Sequence, residues 1–119
     1  MAKIFKIPTY TNNKGSLSVI EKIIPFKIKR VYYLYNFKKK NRGQHKHKKN
    51  RQFLICLFGN VRIKVINKSH FKNFNLSKPN YGLFLDPQDW HEIIPTNNNS
   101  VILVLASQFF SKKDYIDEV

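Results

Sequence analysis

Short runs of β-branched and aromatic residues recur along this chain at intervals of about ten residues, with clusters of turn-forming residues between them. No long segment with the 3.6-residue period of a helix appears before residues 111–119. This pattern predicts an all-β fold, an antiparallel sandwich or jelly-roll barrel, ending in a short C-terminal helix or turn.

The predicted strands follow from these runs. In the run 26–36, alternation puts Arg30 and Tyr32 on one face and Tyr33 on the other. Gly59-Asn60 predicts a hairpin turn between two of the strands. The predicted strands span residues 3–7, 16–24, 26–36, 53–58, 61–66, 71–76, 81–85, 91–94 and 101–107.

The length and composition favour one folded domain over residues 1–119. Hydrophobic residues make up 42% of the chain, which is too apolar for a disordered basic tail. The single cysteine, Cys56, lies in an apolar run, so we expect a buried thiol, no intramolecular disulfide and a reducing, cytoplasmic setting. No stretch approaches the roughly 20 apolar residues of a membrane span, so no membrane partner is expected.

The charge of the chain predicts an anionic partner. The formal net charge is +15, and the segment 38–51 carries eight Lys or Arg residues in fourteen positions. Such a charge attracts nucleic acid, acidic lipid or the phosphates of a nucleotide, and charge alone does not choose among them.

Two histidines in this basic segment are the main candidates for functional residues. His45 and His47 are two residues apart, so on a strand their imidazoles share one face. A pair of neutral imidazoles suits metal binding and equally suits proton transfer near neutral pH. Two exposed histidines in a lysine-rich loop would serve neither purpose.

The surrounding residues resemble the cupin motifs. Gly43, His45-x-His47, Gln52 and Gly59 resemble the first motif, and residues 82–91 resemble the second. The resemblance implies a cupin-type jelly-roll barrel. Gln52 stands where metal-binding cupins usually have a glutamate ligand, and an amide oxygen is the weaker ligand for a transition metal, which argues against metal catalysis.

Most of the chain also resembles the WxcM-like dTDP-4-dehydro-6-deoxyglucose 3,4-ketoisomerases. The resemblance implies a cofactor-free enzyme that converts a dTDP-linked 4-keto-6-deoxy sugar to a 3-keto sugar through an enediol, for dTDP-amino-sugar biosynthesis. It also implies a homodimer, with N-terminal strands that can be exchanged between subunits. The matching segments are residues 15–21, 25–33, 42–48, 54–59, 82–83, 90–91, 104–107 and 114–116.

The same resemblance implies roles for single residues. His45 is expected to carry the proton between carbons, and His47 to act as acid or shuttle at the sugar oxygens, although the order could be reversed. Tyr33 and Arg42 are expected to stabilise the enediolate. The expected substrate-binding residues are Arg30, Arg42, Lys48, Gln52 and Trp90, and no metal ligand is expected.

Two other functions fit parts of the sequence. Aromatic residues interleaved with basic ones are also typical of a nucleic-acid-binding module, with 38–51 as its contact loop. That reading gives no reason for the histidine and glycine spacings to occur together, so we expect no nucleic-acid partner. The other candidate is a metal-dependent cupin enzyme with His45, His47 and His91 as ligands.

Overall fold

A computed structural model describes all residues, 1–119, and is almost entirely β-structure. A single turn of 3-10 helix, Lys112–Asp114, precedes the last strand. The strands are β1 (Lys3–Lys6), β2 (Thr9–Asn12), β3 (Gly15–Ser18), β4 (Arg30–Leu34), β5 (Arg42–His47), β6 (Gln52–Phe58), β7 (Val61–Asn67), β8 (His70–Leu76), β9 (Tyr81–Leu85), β10 (Trp90–Pro95), β11 (Val101–Ala106) and β12 (Tyr115–Ile116).

Two five-stranded antiparallel sheets face each other. The first has the order β1-β9-β6-β11-β4, and the second has the order β12-β5-β10-β7-β8. A cluster of thirteen buried side chains, among them Leu54, Ile63 and Ile102, forms the core between the sheets. The predicted all-β jelly-roll architecture is therefore confirmed. Cys56 is buried in this core as a free thiol.

The strands predicted over 16–24 and 26–36 are shorter in the structure than expected. Only β3 and β4 form there, and the chain between them follows bends without strand pairing. The reason is that Ile20, Ile23, Ile24 and Phe26 pack on the outer face of the first sheet, against a second buried cluster around Phe53. Their apolar character serves this packing instead of a ladder of strand hydrogen bonds.

The prediction of a hairpin at Gly59-Asn60 is also wrong. Strand β6 belongs to the first sheet and β7 to the second, so this turn carries the chain from one sheet to the other. Gly59 has φ +88°, and a Cβ there would lie 2.5 Å from the side-chain oxygen of Ser100. Glycine is therefore required both by the backbone conformation and by the close approach of Ser100.

No helix of the structure is long and apolar enough to cross a membrane.

Candidate active site

The pairing of β5 with β10 sets two histidines side by side. His45 lies directly opposite His91, and Gly43 lies opposite Glu92, so Gln44 is an extra residue in β5. Gln44 has φ +62° and Gly43 has φ +87°, and a Cβ on Gly43 would lie 2.9 Å from the carbonyl oxygen of His91. The sequence Gly43-Gln44 thus forms a β-bulge that brings the two imidazoles together.

The other edge of β5 pairs with β12, which places Tyr115 opposite His47. The ring centroids of His45 and His47 are 4.9 Å apart, and those of His45 and His91 are 5.0 Å apart. The Tyr115 ring lies 4.5 Å from the ring of His45 and 4.7 Å from that of His47. Three imidazoles and a phenol therefore form one cluster, and His45 and His47 share one face.

The Nδ1 nitrogen of each imidazole has a hydrogen-bond acceptor. The Nδ1–H groups of His45 and His91 donate to the carbonyl oxygens of Gly43, at 2.9 Å, and of Asp89, at 3.2 Å. Nδ1 of His47 lies 3.0 Å from a carboxylate oxygen of Asp114. Since these oxygens accept and do not donate, the partners assign the proton of each ring to Nδ1 and leave a lone pair on Nε2.

The protein keeps these imidazoles neutral. Burial, reinforced by the neighbouring His45, lowers the pKa of His47 to about 4, against the opposing effect of Asp114. Burial also lowers the pKa of His91 to about 3 and lowers the pKa of His45. At neutral pH the cluster therefore consists of three uncharged bases.

The first sheet contributes a tyrosine to the facing wall. Nε2 of Gln52 donates to the hydroxyl oxygen of Tyr32 at 3.0 Å, and the guanidinium of Arg30 lies 4.2 Å from the centre of the Tyr32 ring. Burial raises the pKa of Tyr32 to about 12, so its hydroxyl stays protonated. Because the oxygen already accepts a hydrogen bond from Gln52, the hydroxyl proton is free to point into the pocket.

His45, His91, Tyr32 and Tyr115 line a pocket of about 340 Å³, within the size range of small-molecule sites, and His47 and Gln52 lie behind these lining side chains. It receives two cationic side chains, Arg30 and Arg42, from opposite walls. Its lining consists of Arg30, Tyr32, Leu34, Arg42, Gly43, His45, His91, Ile93, Phe110 and Tyr115.

Two acceptors beside this pocket have no partner within the protein. They are Nε2 of His47 and Oε1 of Gln52, and both atoms are buried. A buried acceptor without a donor is unfavourable, so each is suited to receive a hydrogen bond from a hydroxyl or water molecule. No group of three or more His, Cys, Asp or Glu side chains is arranged to hold a metal ion.

The structure brings Arg30, Arg42, His45, His47 and Gln52 close together, and it places the other three predicted site residues elsewhere. Tyr33 is 63% exposed on the outer face of the first sheet and stacks on Tyr35. Lys48 lines a separate cleft, and the indole N–H of Trp90 donates to the carbonyl oxygen of Asp117.

Simple alternation explains two of these corrections. Arg30 and Tyr33 lie on opposite faces of β4, so a strand that places Arg30 in the pocket places Tyr33 outside. Trp90 precedes His91 on β10 and therefore points away from the histidine cluster. Lys48 follows the end of β5 and is exposed beyond the strand.

The sequence analysis missed Tyr32, Phe110, Asp114 and Tyr115 as site residues. A signal existed for Tyr32, which shares a strand face with Arg30. The strand pattern gave no signal for the other three, because they reach the site only when the C-terminal segment, residues 108–119, folds back across β5. The family resemblance of residues 114–116 was the one signal that pointed to Asp114 and Tyr115.

Comparison with known proteins places this site in a family. The family described as "FdtA: WxcM-like, C-terminal" matches residues 1–119. The TDP-4-oxo-6-deoxy-alpha-D-glucose-3,4-oxoisomerase of Aneurinibacillus thermoaerophilus is 38% identical over 117 residues, covering 96% of this chain and 84% of that protein.

Solved structures agree with this assignment. The 3,4-ketoisomerase QdtA of Thermoanaerobacterium thermosaccharolyticum, in complex with TDP, has a TM-score of 0.93 and 40% identity, covering 98% of this chain and 88% of that chain. A histidine-to-asparagine variant of QdtA in complex with TDP-4-keto-6-deoxyglucose has a TM-score of 0.93 and 39% identity, covering 98% and 87%. The chain therefore belongs to the FdtA, WxcM-like family.

Proposed function

We propose that this protein is a TDP-sugar 3,4-ketoisomerase that converts TDP-4-keto-6-deoxyglucose into a 3-keto-6-deoxyhexose through an enediol. One observation carries the proposal. A cluster of neutral imidazoles faces a protonated tyrosine across a pocket that also holds two arginines. The names of the relatives supply the substrate class, a TDP-linked 4-keto sugar.

Moving a carbonyl from C4 to C3 begins with loss of the C3 proton, which the adjacent ketone makes acidic. His45 lines the pocket and is neutral, so its Nε2 can accept this proton and return it at C4. One base can serve both carbons because they are neighbours in the substrate. His45 is therefore the proposed base at carbon.

The two sugar oxygens must also exchange a proton. The C4 oxygen gains a hydrogen as the enediol forms, and the C3 hydroxyl loses its hydrogen as the new ketone forms. His47, whose Nε2 has no partner in the protein, is the proposed shuttle between these oxygens. The hydroxyl of Tyr32 would donate to the negatively charged oxygen of the enediolate, a role that replaces the one expected for Tyr33.

The nucleotide diphosphate requires cationic partners. Arg30 and Arg42 reach the pocket from β4 and β5, and a guanidinium binds phosphate oxygens with two parallel hydrogen bonds. The formal net charge of +15 adds a field that attracts a dianionic substrate from solution.

The 3-keto product would be a substrate for amination, which fits a step in dTDP-amino-sugar biosynthesis in the cytoplasm.

We also infer a homodimer with exchanged N-terminal strands. The hairpin β2–β3 pairs only with itself and exposes Tyr10 and Leu17 by 66% and 62%. The outer face of the first sheet exposes Val31, Tyr33 and Tyr35, and such apolar surface is typical of a protein interface. Light scattering of the wild type should give twice the mass of one chain, and the Leu17→Asp variant should give a lower mass. A wild-type protein with the mass of one chain would contradict the dimer.

The test of function is proton NMR of TDP-4-keto-6-deoxyglucose in D₂O with chelator-treated protein. We expect a 3-keto product with deuterium at the exchanging sugar carbon. Conversion only after metal is added back would favour the metal-dependent alternative. No conversion by folded protein, together with DNA binding that falls steeply with salt, would favour the nucleic-acid-binding alternative.

A further inference from the structure

Asp114 connects the C-terminal segment to the histidine cluster. Its carboxylate receives three N–H groups: Nδ1 of His47 at 3.0 Å, the backbone N–H of Lys49 at 2.8 Å and that of Asn50 at 3.2 Å. The Asp114 side chain is only 13% exposed, and that of His47 is 3% exposed. The hydrogen-bond acceptor of this contact is therefore held in place by the backbone and largely shielded from water.

This geometry selects one form of the His47 ring. A carboxylate only accepts hydrogen bonds, so the ring must present N–H at Nδ1, and its lone pair then lies on Nε2. The other tautomer would bring the Nδ1 lone pair against a carboxylate oxygen at 3.0 Å, which is repulsive. Nε2 has no partner in the protein and so remains free to accept a proton.

We propose that Asp114 is the positioning residue of His47, which holds the imidazole in the Nδ1–H form so that Nε2 can act as the proton shuttle. This inference rests on the proposed ketoisomerase function. It makes the C-terminal segment a part of the active site, because Asp114 reaches His47 only when Tyr115 pairs with β5.

A purely structural role for Asp114 must be distinguished from this one. The same residue secures the connection between β5 and β6, because its carboxylate accepts from Lys49 and Asn50 and its backbone carbonyl accepts from Lys48. Loss of these bonds alone would lower stability and loosen the pocket. It would not change which nitrogen of His47 carries the proton.

The experiment compares Asp114→Asn with the wild-type protein by kinetics and by ¹⁵N NMR of the imidazoles. Asparagine keeps the size of the side chain but replaces one carboxylate oxygen by an NH₂ group. Its oxygen retains the shorter backbone contact, with Lys49 at 2.8 Å, so its nitrogen faces His47 as a donor and the weaker contact with Asn50, at 3.2 Å, is lost. We expect His47 to change to the Nε2–H form and kcat to fall by about 10²–10⁴, as when an acidic partner of a catalytic histidine is made neutral. We expect KM to change by less than about threefold, because uniform substrate binding is retained.

Two further variants complete the test. Glu118→Gln removes the same charge from the same segment at an exposed residue and should leave kcat and the His47 tautomer unchanged. If Asp114→Asn does not fold, Asp114→Glu decides instead, because it retains a carboxylate and should keep the Nδ1–H form.

The outcomes separate this inference from the proposed function. An Asp114→Asn protein that keeps wild-type kcat and the Nδ1–H form of His47 would overturn the positioning role. A loss of kcat without a change of tautomer would assign Asp114 a structural role only. If the wild type does not isomerise the sugar, the proposed function fails, and the NMR comparison alone still decides whether Asp114 sets the tautomer.

Discussion

The two faces of strand β4 carry the same residue type in opposite surroundings. Tyr32 points inward, accepts a hydrogen bond from Gln52 and has its pKa raised to about 12 by burial. Tyr33, the next residue, points outward, is 63% exposed and stacks on Tyr35. The inner face of β4 is half-buried and carries Arg30 and Tyr32, whereas its outer face exposes Val31 and Tyr33.

This difference between the two faces indicates two different uses of one sheet. Buried polar groups are unfavourable unless they are paired, so the inner face retains them for chemistry that needs neutral bases and a protonated hydroxyl. Exposed apolar side chains are unfavourable in water, and those of the outer face belong to the proposed dimer interface. Residue type alone therefore does not determine the role of either tyrosine.

The largest expected effect is on the inner face, at His45. The substitution His45→Asn removes the base that lines the pocket and little packing volume, so we expect kcat to fall by at least about 10³ while TDP binding persists. His70→Asn is the matched control, because His70 is exposed on β8, away from the cluster. Deuterium incorporation and TDP titration measure the two quantities, and a His45→Asn enzyme with most of its activity would remove His45 from the mechanism.

Most of the architecture could be predicted from the sequence, because local alternation of apolar and polar residues indicates where strands form. Strands β7 to β11 follow the predicted runs closely, since each has one face in the core. The errors arose where apolar residues serve packing outside the sheets. Ile20 and Phe26 look like strand residues, but they cover the outer face of the first sheet. The sheet change at Gly59 depends on long-range pairing, which a turn sequence does not encode.

The site could be predicted only in part for the same reason. The spacing of His45 and His47 predicted a shared face, which the ring distance of 4.9 Å confirms. Asp114 and Tyr115 follow His47 by 67 and 68 residues in the chain, and no local sequence pattern connects them with His47. Their approach depends on the C-terminal segment pairing with β5, which is a tertiary event.

The next effect directly tests the comparison of the two tyrosines. Tyr32→Phe removes the hydroxyl that faces the pocket, and we expect kcat to fall by about 10²-fold, the scale of losing one donor to a developing oxyanion. Tyr33→Phe removes a hydroxyl on the outer face and should leave kcat within about twofold. Steady-state kinetics of both variants measures the difference. Equal losses of kcat in both variants, or a loss of kcat only in Tyr33→Phe, would contradict the roles assigned to the two faces.

The smallest effect is on the pH dependence of stability. Burial lowers the pKa values of His47, to about 4, and of His91, to about 3, from an unfolded value near 6.5. Between these values the unfolded chain binds more protons than the folded one, so folding stability falls as the pH falls below about 6.5. Each such histidine can contribute up to about 1.4 kcal/mol per pH unit to this slope.

Substitution of one of these histidines sharpens that expectation. His91→Asn removes one titrating group from the inner face, so its unfolding free energy should fall less steeply between pH 6.5 and 4 than that of the wild type. Tyr33→Phe, on the outer face, should keep the wild-type slope. Urea unfolding at a series of pH values measures how the free energy of unfolding changes with pH. The slopes are compared, and not the free energies themselves, because the substitution also changes stability at neutral pH. An unchanged slope in His91→Asn would mean that burial does not hold His91 neutral. It would contradict the assignment of uncharged histidines to the inner face.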